Sequence, residues 1–346
     1  MGERTSYAPG TFSWAELATS DAGAAKSFYS SLFGWEYDDN PIPGGQVYSM
    51  ASRDGKQVAA LFGSDEPPHW NCYVTVASVD DAASRAGELG GDVMAAPFDV
   101  MELGRMAVIA DPTGAALCLW EPRGHIGAAL VNTPGALTWN DLVTPNPDAA
   151  ARFYGDLFGW TTEEIPDAGG YRTIHNGDRL GGGIMPHDPQ RMGSEAPPSW
   201  MPYFGHEDVD RLVGEVDGLG GRLYNGPVRM PQGSIAVLAD PHGAVFRGEH
   251  CRDLDLARGL VELEHDVDAV AHLDARRPAD LGAQPEIAAA AVDGEPAAQR
   301  RPVDRPADRR PRLPEHGAGV ERDLDPAPAA ARLAQRSREL HHVHGS

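Results

Sequence analysis

Lysine is nearly missing from these 346 residues: Lys26 and Lys56 are the two in the chain, and 51 acidic against 29 basic side chains leave a formal net charge of −22. A surface of that sign repels phosphate backbones and anionic lipid, so nucleic-acid and membrane partners are not expected. The three cysteines, Cys72, Cys118 and Cys251, are odd in number and far apart, which argues against a disulfide framework and fits a reducing compartment. No apolar run reaches the ~20 residues of a membrane span, and the opening MGERTSYAPG lacks the basic start and apolar middle of a secretion signal. A soluble, cytoplasmic protein is expected.

The end of the chain lacks most. Residues 251–346 contain no Phe, Tyr, Trp, Lys, Asn, Thr or Met and are dominated by Ala, Arg, Pro, Asp and Glu, a composition that cannot bury an ordinary core. Residues 249–346 therefore read as a disordered tail, or as the product of a reading-frame shift near codon 247. The frame-shift expectation comes from an asymmetry: DPTGAALCLWEP closes one half of the protein, whereas DPHGAVFRGEHCRD closes the other and loses its last strand after Phe246.

What is present before the tail is repetition. SFYSSLFGW at 27–35 recurs as RFYGDLFGW at 152–160, EPPHW at 66–70 as APPSW at 196–200, and AVIADPTGA as AVLADPHGA. The offset grows from 125 to 130 and settles at 129 as the second copy takes a small loop insertion near HDPQRMGSE. Boundaries follow: an N-terminal arm 1–9, a first domain 10–123, a linker 124–134, a second domain 135–248 and the tail.

Within each copy the hydrophobic period changes readably. FSWAELAT reads as a half-buried strand, with Phe12 facing one way and Trp14 and Glu16 sharing the other face. A helix follows: Asp21 caps it, Ala24, Phe28 and Leu32 recur at a spacing of four, and Gly34 suits the left-handed position past its end. Asn146, Pro147, Phe153, Leu157 and Gly159 repeat the arrangement. The aromatic phrase thus reads as the core face of a helix before it reads as a ligand box. Short strands follow, then the pattern restarts at NCYVTVAS and VDDAASRAGELGG, and Asp111-Pro112-x-Gly114 makes the last tight turn. The expected class is α+β, with two tandem domains, each a pair of βαβββ units.

FYSSLFGW, VDDAASRAGELGG and IADPTGAALCLW in this order resemble the vicinal oxygen chelate superfamily of glyoxalases, extradiol dioxygenases and bleomycin-resistance proteins, over 10–122 and 135–246. The resemblance implies a mixed sheet in each domain curled into a cup that holds any ligand, but it implies no particular reaction. Metal-using members place His or Glu on four cup strands. The matching positions here are Trp14, Asn71, Cys118 and a place near Ala60, then Trp139, Met201, Phe246 and Ile184 or a neighbouring glycine. None is a His or a carboxylate, so neither metal nor cofactor is expected; Glu16 and Glu121 would converge only if the register slips.

Trp14, Glu16, Asn71, Tyr73, Cys118 and Trp120 in the first cup, and Trp139, Asp141 and Tyr203 in the second, are the candidate ligand-binding residues. Aromatic walls with one carboxylate suit a planar, largely apolar ligand. His206-Glu207-Asp208 and His187-Asp188 fall where surface turns are expected, and Gly181-Gly182-Gly183 reads as a close strand approach, not a phosphate cradle. The chain is similar to tandem superfamily members of actinomycetes called hydroxylases, some of them accessory proteins of daunorubicin and other anthracycline biosynthesis. That similarity implies binding of the planar polyketide and assistance to its late oxidation by a cytochrome P450; a homodimer is left open. The alternatives are a metal-dependent glyoxalase- or dioxygenase-like enzyme and a drug-sequestering resistance protein.

Overall fold

The structure, a computed structural model, describes residues 2–42, 46–189, 196–230 and 233–251; the expected tail lies outside them from residue 252 on. The first domain runs β1 Thr11–Thr19, α1 Ala22–Phe33, β2 Glu36–Ile42, β3 Gln46–Arg53, β4 Lys56–Gly63, β5 His69–Thr75, α2 Val79–Glu88, β6 Asp92–Val100, β7 Gly104–Ala110 and β8 Ala116–Pro122. The second repeats it: β9 Leu137–Thr144, α3 Pro147–Phe158, β10 Thr161–Glu164, β11 Arg172–Asn176, β12 Arg179–Pro186, β13 Ser199–His206, α4 Val209–Gly218, β14 Arg222–Met230, β15 Gly233–Ala239 and β16 Val245–His250. Each domain is one eight-stranded mixed sheet, ordered β2-β3-β4-β1-β5-β8-β7-β6 and β10-β11-β12-β9-β13-β16-β15-β14. Two βαβββ units meet in each along the antiparallel pairs β1/β5 and β9/β13.

The caps lie where the residue types require them. Asp21 and Asn146 accept from the backbone N–H groups of Ala24 and Ala149, while Gly34 and Gly159 sit at φ of 70° and 76°. Strict alternation in β1 would put Phe12 on the same face as Trp14. A bulge at Ser13 reverses this, so Phe12 stacks outward against Trp160 and Trp200 while Trp14 and Glu16 point into the cup.

The last strand of the second domain is present, a correction to its expected loss after Phe246. Val245–His250 pairs parallel to β13 and antiparallel to β15, because Phe246 is buried at 0% exposure and Arg247 finds a buried partner. The sheet therefore closes on its own chain two residues past the expected boundary at 248. The linker 124–134 is held to the first domain and the arm: Ala128 and Ala129 donate to Ser13 and Gln57 carbonyls at 2.7 and 2.8 Å, and Glu3 of the arm bridges to Leu130.

The repeated aromatic phrase joins the domains. Phe28, Tyr29, Leu32 and Phe33 of α1 are buried in one cluster with Phe204, Leu212 and Phe246 of the second domain. Reciprocally, Phe153, Tyr154 and Trp160 are buried with Phe12, Val74, Leu117 and Leu119 of the first. Polar contacts repeat the exchange. Trp35 Nε1 donates to the Gly135 carbonyl at 2.7 Å and Trp160 Nε1 to the Gly10 carbonyl at 2.8 Å, each on the strand entry of the other domain. The Tyr29 hydroxyl donates to Asp240, in the DPHG turn, at 3.2 Å.

Candidate functional site

Each cup is built around one buried carboxylate. In the first, Glu16 on β1 lies level with Ala60 of β4 and Asn71 of β5. Its oxygens accept from Tyr48 at 2.9 Å, Tyr73 at 2.6 Å and Asn71 at 3.4 Å, and the Trp14 indole N–H reaches the Tyr48 hydroxyl at 3.3 Å. Burial pushes the Glu16 carboxyl above its ordinary value, against the pull of the Tyr73 and Tyr48 hydroxyls. Trp14, Tyr73, Cys118 and Trp120 are all buried around it, and loss of water raises the Cys118 thiol too, so it is no thiolate nucleophile.

The linker covers this cup. His125 sets its ring edge-on to Trp14 at 4.8 Å, and Trp120 donates to the His125 carbonyl at 2.8 Å. Burial lowers this imidazole to about 4, so it is neutral near pH 7. Glu121 does not join Glu16: it accepts from the Val79 N–H at the start of α2, at 3.0 Å.

In the second cup Asp141 on β9 is level with Gly183 of β12 and Met201 of β13. It accepts from Trp139 Nε1 and the Tyr171 hydroxyl, both at 2.9 Å, from the Tyr203 hydroxyl, and from Arg247 at 2.7 Å. Aspartate is one methylene shorter than glutamate, so Tyr171 must come closer to the backbone. A Cβ at 183 would collide with the Tyr171 hydroxyl and Asp141 Oδ1, which explains glycine here where the first cup has Ala60. The glycine run is thus a close approach, as its sequence implies.

The register moves several expected positions. Tyr203 lies beside Arg247, as Tyr73 lies beside Cys118, so Arg247 and not Phe246 occupies the cup position. Glu16 rather than Trp14 is level with Asn71, and of Ile184 and its neighbouring glycines it is Gly183 that is level with Asp141. His206 is no surface residue: it ends β13 at 5% exposure, its Nδ1 lying 2.6 Å from the Asp208 carbonyl oxygen, while Asp208 caps α4. Tyr48, Tyr171, His125 and Arg247 escape the sequence pattern. The two tyrosines had a usable signal, since Tyr48 lies on β3 and Tyr171 immediately precedes β11, the strands next to the carboxylate's parallel neighbour, but their offset of 123 departs from that of the phrases on either side.

A profile of the glyoxalase-like domain matches residues 14–120 and 138–247. The chain belongs to the glyoxalase-like domain family. Among the relatives of this glyoxalase-like protein, "Putative glyoxylase CFP32" of Mycobacterium bovis is 44% identical over 256 residues, 71% of this chain and 97% of the relative. "Anthracycline biosynthesis protein DnrV" of Streptomyces peucetius is 35% identical over 262 residues, 70% and 94%, and DauV of Streptomyces sp. (strain C5), of the same description, is 34% identical over 274 residues with the same coverage. Among solved structures, the Mn(II)-bound glyoxalase of Novosphingobium aromaticivorans superposes with a TM-score of 0.53 at 15% identity, over 72% of this chain and 83% of that one; it shows the fold.

A divalent ion of the kind some members of this fold carry does not suit these donors. Level with one another stand Glu16, Ala60 and Asn71, and both Glu16 oxygens are already taken. In the second cup a cation would meet the Arg247 guanidinium on its only carboxylate at that level. Among the described residues no three His, Cys, Asp or Glu side chains group as metal ligands, and no helix there is long and apolar enough to cross a membrane.

Glu249, in the place of Trp120, adds a testable pH dependence. Loss of water pushes its half-buried carboxyl up to about 7 from an ordinary 4.5, the Thr138 hydroxyl opposing this and the Asp141 charge adding to it. The folded chain then binds more protons than the unfolded one between these values, so this group's contribution to stability falls as pH rises from about 4.5 to 7. Glu249→Gln is expected to flatten that slope in denaturant unfolding measured across the window; an unchanged slope would place the titration elsewhere.

Proposed function

We propose that the protein binds a planar aromatic polyketide of the anthracycline type and assists its late oxidation by a cytochrome P450. The observation that carries this reading is the half-buried wall of the second cup. Trp139 and Tyr171 are only partly covered, yet their polar atoms are held by Asp141, so flat apolar surface is offered without an unmet polar cost. DnrV and DauV, named for anthracycline biosynthesis, match along nearly their whole lengths. The residues bind and orient; Asp141 is already consumed by its donors and is not free to act as a base.

Isothermal titration of the full chain with an anthracycline is expected to give micromolar or tighter binding in the presence of chelator. Replacing both Trp14 and Trp139 with Ala should abolish it in samples shown to be folded. Faster product formation by the oxidase when the protein is added tests the second half of the reading. CFP32 favours a rival reading, a glyoxalase-type isomerase; turnover of small aldehydes by metal-supplemented protein, with no heat from the anthracycline, would establish that one instead.

A further inference from the structure

The two cups share a plan but differ at two places. In the first, Cys118 and Trp120 complete an apolar wall, and His125 lies on Trp14, which is 3% exposed. In the second, the same places on the last strand are Arg247 and Glu249, and the wall residues Trp139, Tyr171, Met185 and Met201 are each only half-buried.

Arg247 is 5% exposed. One terminal nitrogen donates to Asp141 and to the Tyr203 hydroxyl, the other meets Met185 Sδ at 2.8 Å, and the guanidinium lies 5.0 Å from the Tyr203 ring centre. Its Nε is buried and has no hydrogen-bond partner among the described residues. A guanidinium presents five N–H donors in a rigid fork and accepts nothing, so an orphaned Nε–H calls for an acceptor that the described residues do not supply. A carboxylate is a poor candidate, because Asp141 already neutralises the guanidinium and a second anion would be buried unpaired. A neutral carbonyl oxygen on a planar ring answers both the donor and the aromatic wall.

Resting on the polyketide reading above, we propose that the second cup is the ligand-binding one and that Arg247 Nε–H recognises a ring carbonyl, of quinone type, on the planar ligand. The first cup is its closed counterpart, held by neutral donors around Glu16 and by His125. Arg247 is on this account a specificity determinant, giving preference for a quinone over the same ring system without the carbonyl.

The test compares a hydroxylated anthraquinone with the anthracene of the same substitution, titrated into the full chain and into Arg247→Lys. Lysine keeps a cation for Asp141 but loses the planar fork. Expected are one quinone per chain, a preference of about tenfold for quinone over anthracene, equal to ~1.4 kcal/mol, and loss of that preference in Arg247→Lys with anthracene binding retained. Two equivalent sites per chain, or a quinone preference untouched by Arg247→Lys, would overturn the inference while leaving the polyketide reading intact. Should Arg247→Lys unfold, the wild-type ratio decides alone: no quinone preference ends the proposal. Binding of neither compound by the folded wild type would remove the polyketide reading as well.

Discussion

Trp35→Ala is expected to destabilise the entire chain, by about 3–5 kcal/mol, as large aromatic-to-alanine changes in cores do. Trp35 is 2% exposed and packs on Tyr29 and Phe33 of its own domain and on Phe204 of the other, all at about 5.4 Å between ring centres. Its indole N–H also holds the Gly135 carbonyl, at the entry to β9. The cavity would open in a cluster belonging to both domains, so neither domain keeps its native boundary. Chemical denaturation should show one cooperative transition in wild type and variant, shifted to lower denaturant in the variant. Trp160→Ala should behave alike, since Trp160 holds the Gly10 carbonyl in the mirror position. Two separated transitions in the wild type would mean the domains fold independently, which their exchanged helices argue against.

That result bears on how far the sequence could be read. The periods of two and 3.6 residues, the caps at Asp21 and Asn146, and the turn at Asp111 are local, and local signals place the paired βαβββ units. The phrase FYSSLFGW also announces a buried helix face. What it cannot announce is which sheet buries it, because a hydrophobic stripe carries no address; that α1 meets Phe204 and Phe246, more than 170 positions away, is a fact of topology. The cup residues show the same division. Alternation puts Trp14 with Glu16 on one face, and Tyr73 is a neighbour of both. A slip of one or two residues, however, separates Phe246 from Arg247 and Trp14 from Glu16 as the level of interest. Arg247 looked like the beginning of a foreign tail because an arginine breaks the apolar run seen at ALCLW. In space it meets Asp141, 106 positions earlier in the chain, and no local pattern predicts that pairing.

Asp141→Ala should be the other large effect, and it separates a cup that is a polar core from one that is a binding site. Asp141 is 0% exposed and Arg247 5%, so removing the carboxylate alone leaves an uncompensated buried guanidinium, a change that typically costs about 3–5 kcal/mol. Removing both charges, in Asp141→Leu with Arg247→Met, should recover the part of that loss due to the unpaired guanidinium, while Trp139, Tyr171 and Tyr203 still lose their acceptor. The non-additivity measured in a double-mutant cycle is then the coupling of the pair. The first cup provides the contrast. Glu16 is held by neutral donors and its carboxyl is raised by burial, so Glu16→Gln removes no partner charge and should change stability far less. If the doubly apolar second cup is as stable as wild type yet loses quinone, the ion pair is kept for recognition. If it keeps ligand and loses stability, the pair is packing, and the aromatic wall alone selects what enters.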